Sequence, residues 1–307
     1  MGLGLGDVAL RRLIAAAATC ACACACGIAQ AHAPLRANEP LLSSWQPEPG
    51  SLLCLAVALA LYLLGLRRLW SQAGRGHGIS QRQAAAFLGG WLALAIATAS
   101  PLEALGASLF SAHMLQHELL MIVAAPLLVI GRPLAAAVWA FDAPARQAIG
   151  RALNRHGLRA AWRLLSAPGV AWALHGVVLW AWHVPALFEA ALARADLHAL
   201  QHASFLLSAV LFWWAPLAGS RQGTGAALAY LFTTMLHTGA LGALLTLSPT
   251  LWYPSYGDRA AVLGFDPLAD QQLGGLVMWV PGGLAYLLVG LLVGAQALGR
   301  TSRPARP

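Results

Sequence analysis

The chain has 307 residues, of which 59% are hydrophobic and only 10% charged, with a formal net charge of +8. A soluble domain carries about 25% charged residues, so this composition excludes an ordinary soluble protein and fits an integral membrane protein. All 19 cations are arginine and most fall between apolar runs, so the charge reads as membrane topology and not as a nucleic-acid-binding surface.

Residues 1–31 read as a secretory signal peptide. Arg11 and Arg12 precede the apolar stretch LIAAAATCACACACGIA, and the small residues of AQA (Ala29–Ala31) follow. An uncleaved first helix is the alternative. Cys20, Cys22, Cys24 and Cys26 lie in this segment and Cys54 stands alone, so no disulfide framework is implied. Cleavage after Ala31 would make His32 the N-terminus, where α-amine and imidazole together chelate copper; an incidental histidine in a tail is the other reading. Residues 32–50 form an external tail, 51–298 the membrane domain and 299–307 a second tail.

The membrane domain is expected to be an all-α bundle of seven transmembrane helices. A span takes about 20 apolar residues. Runs of that kind lie near 51–70, 84–101, 113–131, 168–188, 198–217, 226–247 and 272–296. The loops after the first, third, fifth and seventh runs hold most arginines: Arg67, Arg68, Arg75 and Arg82; then Arg132 to Arg163; Arg221; and Arg300, Arg303 and Arg306. The other side holds Arg36, Arg194 and Arg259 among most of the acids. The positive-inside rule then puts the N-terminus in the periplasm and the C-terminus in the cytoplasm of a bacterial inner membrane. The segment 142–167, with arginines at 151, 155, 159 and 163, reads as a helix lying on anionic lipid headgroups. The PGG at 281–283 should bend or loosen the last span.

The third run opens with HMLQHELLM, residues 113–121, and the fifth with HALQH, residues 198–202. Histidines four apart share a helix face and can reach one ion. Both helices enter from the outer side. A rise of about 1.5 Å per residue puts His117, His202, His183 and Met278 at similar depths. His113, His198, Met114 and Asp270 lie above them, and Met121, Met235 and His237 below. His175, toward the cytoplasmic side, reads as a hydrogen-bonding strut between helices. Glu118, a carboxylate inside a span, reads as the partner that orients a ligand histidine.

Imidazole and thioether without paired thiolates suit copper. Zinc would accept the imidazoles but leaves the methionines unexplained. HELLM departs from the HExxH of zinc proteases because Met121 replaces the second histidine. A haem b held by histidines on facing helices is the main alternative, and a metal-free scaffold with structural histidines is the third. No nucleophile–base pair, phosphate loop or paired acid points to an enzyme.

The segments HMLQHELLMIVAAPLLVIGRP, WHVPALFEAAL, LHALQHASFLLSAVLFWWAP and DQQLGGLVMWVPGG, within residues 50–296, resemble the CtaG family of cytochrome c oxidase assembly factors, its polytopic branch associated with caa-type oxidases. The resemblance implies oxidase subunits as partners, in particular the one that carries the dinuclear copper centre, and a role in assembly. It implies no ligand set.

Overall fold

The computed structural model describes Leu35, Trp45 and residues 48–219 and 223–301. The signal segment, His32 and residues 302–307 lie outside the described residues. Those described form helices and short connections, with no strand among them. In chain order the helices are α1 (Pro49–Ala73), α2 (Gln81–Ala99), α3 (Leu102–Gly106), α4 (Phe110–Glu118), α5 (Ala125–Gly131), α6 (Pro133–Val138) and α7 (Ala143–Leu153). They continue as α8 (His156–Leu165), α9 (Pro168–Trp182), α10 (Pro185–Ala193), α11 (Ala195–Trp214), α12 (Thr224–Thr246), α13 (Ser255–Val262) and α14 (Pro267–Thr301). A π-helical turn, Leu119–Ala124, joins α4 to α5, and a second, Ala215–Gly219, extends α11.

Local chemistry sets where the first helices start. Glu48 caps α1 by accepting from the Ser51 amide at 3.0 Å, with Pro49 in the first turn. Ser80 and Gln83 close a reciprocal capping box on α2.

Among the described residues, five helices are long and apolar enough to cross a membrane: Pro49–Ala73, Phe110–Gly131, Ala195–Ala218, Thr224–Thr246 and Pro267–Gly299. The bent pair α8 and α9, at 67°, makes a sixth if it counts as one broken span. The remaining expected span, α2, spends its first turn on Gln81, Arg82 and Gln83, which dilutes its apolar length. The expected run 168–188 is interrupted. Val184 precedes Pro185 and is extended, as a residue before proline prefers, so α9 ends at Trp182 and α10 starts anew. The segment 142–167 is likewise two helices. α8 buries no residue and leaves Leu158, Trp162 and Leu165 exposed, while Trp162 meets Trp214 edge-on at 5.1 Å.

The most extensive helix contact joins α12 to α14. A methyl group at Gly275 would lie 2.6 Å from the Thr246 amide nitrogen, so this crossing needs glycine for its backbones to touch. α14 passes through Pro281 without interruption. Its outward Leu284, Leu288, Leu291 and Leu292 are exposed, as a lipid-facing surface requires. Phe110, Phe188, Phe205, Phe212, Trp213 and Tyr253 belong to one buried cluster that backs the site described next.

Candidate metal centre

α4 carries His113 and His117, yet no side chain from its own sequence caps its first turn. Asp270 of α14 supplies the cap. Its carboxylate accepts from the Phe110 amide at 2.6 Å, from the Ser111 amide at 3.3 Å and from the Ser111 hydroxyl. A carboxylate at a helix N-terminus satisfies orphan amides and complements the dipole. Past His117 the helix widens into the π turn, and the Trp213 indole donates to the Met121 carbonyl there at 2.8 Å. π turns recur at functional sites because they re-aim side chains.

Two helices and the end of a third bring five imidazoles together. On α4, the ring centres of His113 and His117 are 4.4 Å apart, and on α11 those of His198 and His202 are 4.2 Å apart. Between the two helices His113 lies 5.3 Å from His198 and 5.9 Å from His202, and His117 lies 5.3 Å from His202. His183, at the C-terminal end of α9, is 6.4 Å from His117. His113, His117 and His183 are buried, and His198 and His202 are partly exposed.

Within this group, nitrogens of His113, His198 and His202 all lie within 4.8 Å of one another. A tetrahedral ion with metal–nitrogen bonds of about 2 Å would draw them to about 3.3 Å. His113 Nε2, both nitrogens of His117 and His183 Nε2 are buried without a hydrogen-bond partner. Native interiors seldom leave such atoms unpaired, so several in one place mark the seat of an ion or water. A cavity of about 20 Å³, lined by Glu103, Ala107, His113, Leu192, His198 and Arg259, opens beside the triad. It has room for a water-sized occupant.

Short helices wall this end of the bundle. The Tyr253 hydroxyl donates to the His183 carbonyl at 2.9 Å, and the Tyr256 hydroxyl to the Gly106 carbonyl at 2.8 Å. Burial holds both phenols above their ordinary range, so they remain donors. Glu189 of α10 accepts from the amide and hydroxyl of Ser255 at the start of α13, and Arg259 donates to the Ala107 carbonyl at 3.0 Å.

The other residues singled out in the sequence lie elsewhere. Met114, Met121 and Met278 are buried in the apolar cluster, with Met114 packed at Gly274 of α14. Met235 faces an apolar groove between α12 and α14, beside Tyr286 and Leu291. His237 stands edge-on to Trp172 at 5.7 Å, with its ring against Gly176 of α9. Glu118 packs toward α14, its Oε2 3.3 Å from where a Gly282 methyl would sit, and that oxygen has no hydrogen-bond partner. Asp270 is occupied with its cap. His175 Nδ1 lies 3.3 Å from the Ser208 hydroxyl, the strut arrangement expected of it.

Gln201 escaped the sequence reading. It is fully buried between His198 and His202, and its amide adjoins His113 without a well-formed hydrogen bond. The repeated H-x-L-Q-H pattern contained the signal, because it places a glutamine beside each histidine pair. Gln116, its counterpart, donates to the Ala97 carbonyl at 2.8 Å and so ties α4 to α2.

Fold and site together define a multi-helix protein of membrane type with a polyhistidine centre near one end of its bundle. The family model described as cytochrome c oxidase caa3 assembly factor (Caa3_CtaG) matches residues 60–299. The chain belongs to that family. No curated protein and no solved structure matches it.

Proposed function

We propose that this assembly factor binds copper at His113, His198 and His202 on the periplasmic side of the bacterial inner membrane and passes it to an oxidase subunit. The carrying observation is the convergence of these three imidazoles within 4.8 Å, beside a cavity that opens at the end of the bundle. Neutral imidazoles suit copper, and no thiolate is needed. Arginine placement supports a seven-span topology in which this end faces the periplasm, where a dinuclear copper centre receives its metal. In this reading the histidines act as ligands in ion transfer and catalyse no covalent step.

A haem b is a poorer fit. Across α4 and α11, His113 lies 5.3 Å from His198 and 5.9 Å from His202, His117 lies 5.3 Å from His202, and the buried Phe205 packs 4.5 Å from His117, which leaves the flank of this cluster filled where a macrocycle would extend. Substituting His198 and His202 together by alanine tests the copper reading. Copper retention and oxidase activity should fall while protein abundance stays near normal. A variant that keeps its copper but loses abundance would make these histidines structural.

A further inference from the structure

One turn beyond the triad, two more histidines have lone pairs without a taker. His117 follows His113 by four residues, about 6 Å along α4. The mouth is lined by His113 and His198, and neither His117 nor His183 reaches it. His183 Nδ1 lies 2.7 Å from the Leu179 carbonyl. A carbonyl can only accept, so Nδ1 carries the proton and Nε2 presents its lone pair. That Nε2 is buried without a partner, and so are both nitrogens of His117. A hydrogen bond that fixes the tautomer and leaves the other nitrogen bare is how proteins prepare a metal-binding histidine.

The spacing suits a particular coordination. A metal–nitrogen bond of about 2 Å, plus about 1.1 Å from nitrogen to ring centre, separates two imidazoles on a linear ion by about 6.2 Å. The His117 and His183 ring centres are 6.4 Å apart, with ring planes at 78°. Phe205 packs 4.5 Å from His117 and 6.2 Å from His183, and Phe188 lies 6.3 Å from His183. Both phenylalanines are fully buried, so this position is shut off from bulk solvent. Glu118, the nearest acid in sequence, is turned toward Gly282 and supplies no counter-charge here. A neutral ligand pair in such a site costs a divalent ion far more than a monovalent one. Zinc also asks for four ligands.

We propose that His117 and His183 hold a second copper ion, as two-coordinate Cu(I), loaded from the His113–His198–His202 position. The proposal rests on the copper reading of that triad. His117 is the hinge of the exchange, with its ring 4.4 Å from His113 and 5.3 Å from His202. Transfer is ligand substitution: a bond from copper to a triad nitrogen breaks as one to His117 forms, and no electron moves.

Anaerobic titration of the purified full chain with Cu(I), buffered by a chromophoric competitor, tests this. Wild type should take two ions. His183→Gln and His117→Ala should each take one, and His198→Ala/His202→Ala none, because the inner pair is loaded through the triad. One ion in wild type, unchanged by His183→Gln but lost in the triad variant, would overturn the second site and leave the triad standing. Two ions in the triad variant would overturn the triad reading, one ion there would overturn loading through the triad, and no ion in wild type would overturn both. X-ray absorption of wild type covers the case of a variant that fails to fold. The second equivalent should add a two-coordinate, all-nitrogen signature, and a three- or four-coordinate one would contradict the proposal.

Discussion

The Asp270 carboxylate accepts the Phe110 amide at 2.6 Å across 160 positions of sequence, so the last long helix caps the one that carries His113 and His117. The start of α4 is therefore set by α14, and so is the position of its imidazoles. Asp270→Ala should cost about 2 kcal/mol, the upper end for a lost cap, because the group is buried. Asp270→Asn keeps an acceptor and should recover part of this. Thermal unfolding in detergent measures both, and an unchanged Asp270→Ala midpoint would mean that the cap contributes nothing.

The α12–α14 crossing should be intolerant of bulk. A side chain at Gly275 meets the Thr246 amide nitrogen at 2.6 Å, and backbone cannot step aside as a flexible side chain can. Gly275→Val should destabilise by about 1–3 kcal/mol or more. The same substitution at Gly283, where a methyl group meets nothing within 4 Å, is the control and should lose little.

Tyr256 should give stability a dependence on alkali. Burial raises its phenol well above the ordinary 10.0, so the folded chain holds that proton after the unfolded chain has released it. Its contribution is complete below pH 10 and declines as pH climbs from there toward the folded value. Tyr256→Phe should lower stability at neutral pH by about 1–3 kcal/mol, because the Gly106 carbonyl loses its donor, and should flatten the alkaline decline. Equal slopes above pH 10 in both proteins would contradict this.

Glu118→Gln should change copper affinity less than any triad substitution, because the carboxylate packs at Gly282 and makes no hydrogen bond to a histidine. Competition titrations of Glu118→Gln beside His113→Ala decide it. A loss of 10- to 100-fold would restore the role of a ligand-orienting partner, for which that range is typical.

Topology is open to reporter fusions. Gly76, Gly157 and Gly223 should report cytoplasm, and Ala107, Ala193 and Gly257 periplasm. Reversal at two or more sites would place the histidine centre on the wrong side for loading an oxidase copper site.

Much of the helical layout is legible in the sequence, because long apolar runs with arginine between them leave few alternatives. The break at His183 is not, since a uniformly apolar run does not mark where a helix must turn, and Pro185 inside it reads as tolerable in a membrane span. Counting residues along each span gives height. It says nothing about which way a side chain points around the axis. Height along the spans groups His113, His117, His183, His198 and His202, and equally Met278, which the structure buries in the apolar cluster that also holds Met114 and Phe110. Asp270 lies at a suitable height for a ligand, and only the packing of α14 on α4 reveals it as a cap. The role of Gln201 depends on burial, which a lone glutamine in a helix does not announce.

Copper analysis together with an absorbance spectrum, on protein purified from copper-supplemented cells, tests the central claim most directly. The triad geometry predicts copper bound to the chain and no Soret band, with the copper lost in His198→Ala/His202→Ala. A Soret band, or wild-type protein that holds no copper under these conditions, would contradict it.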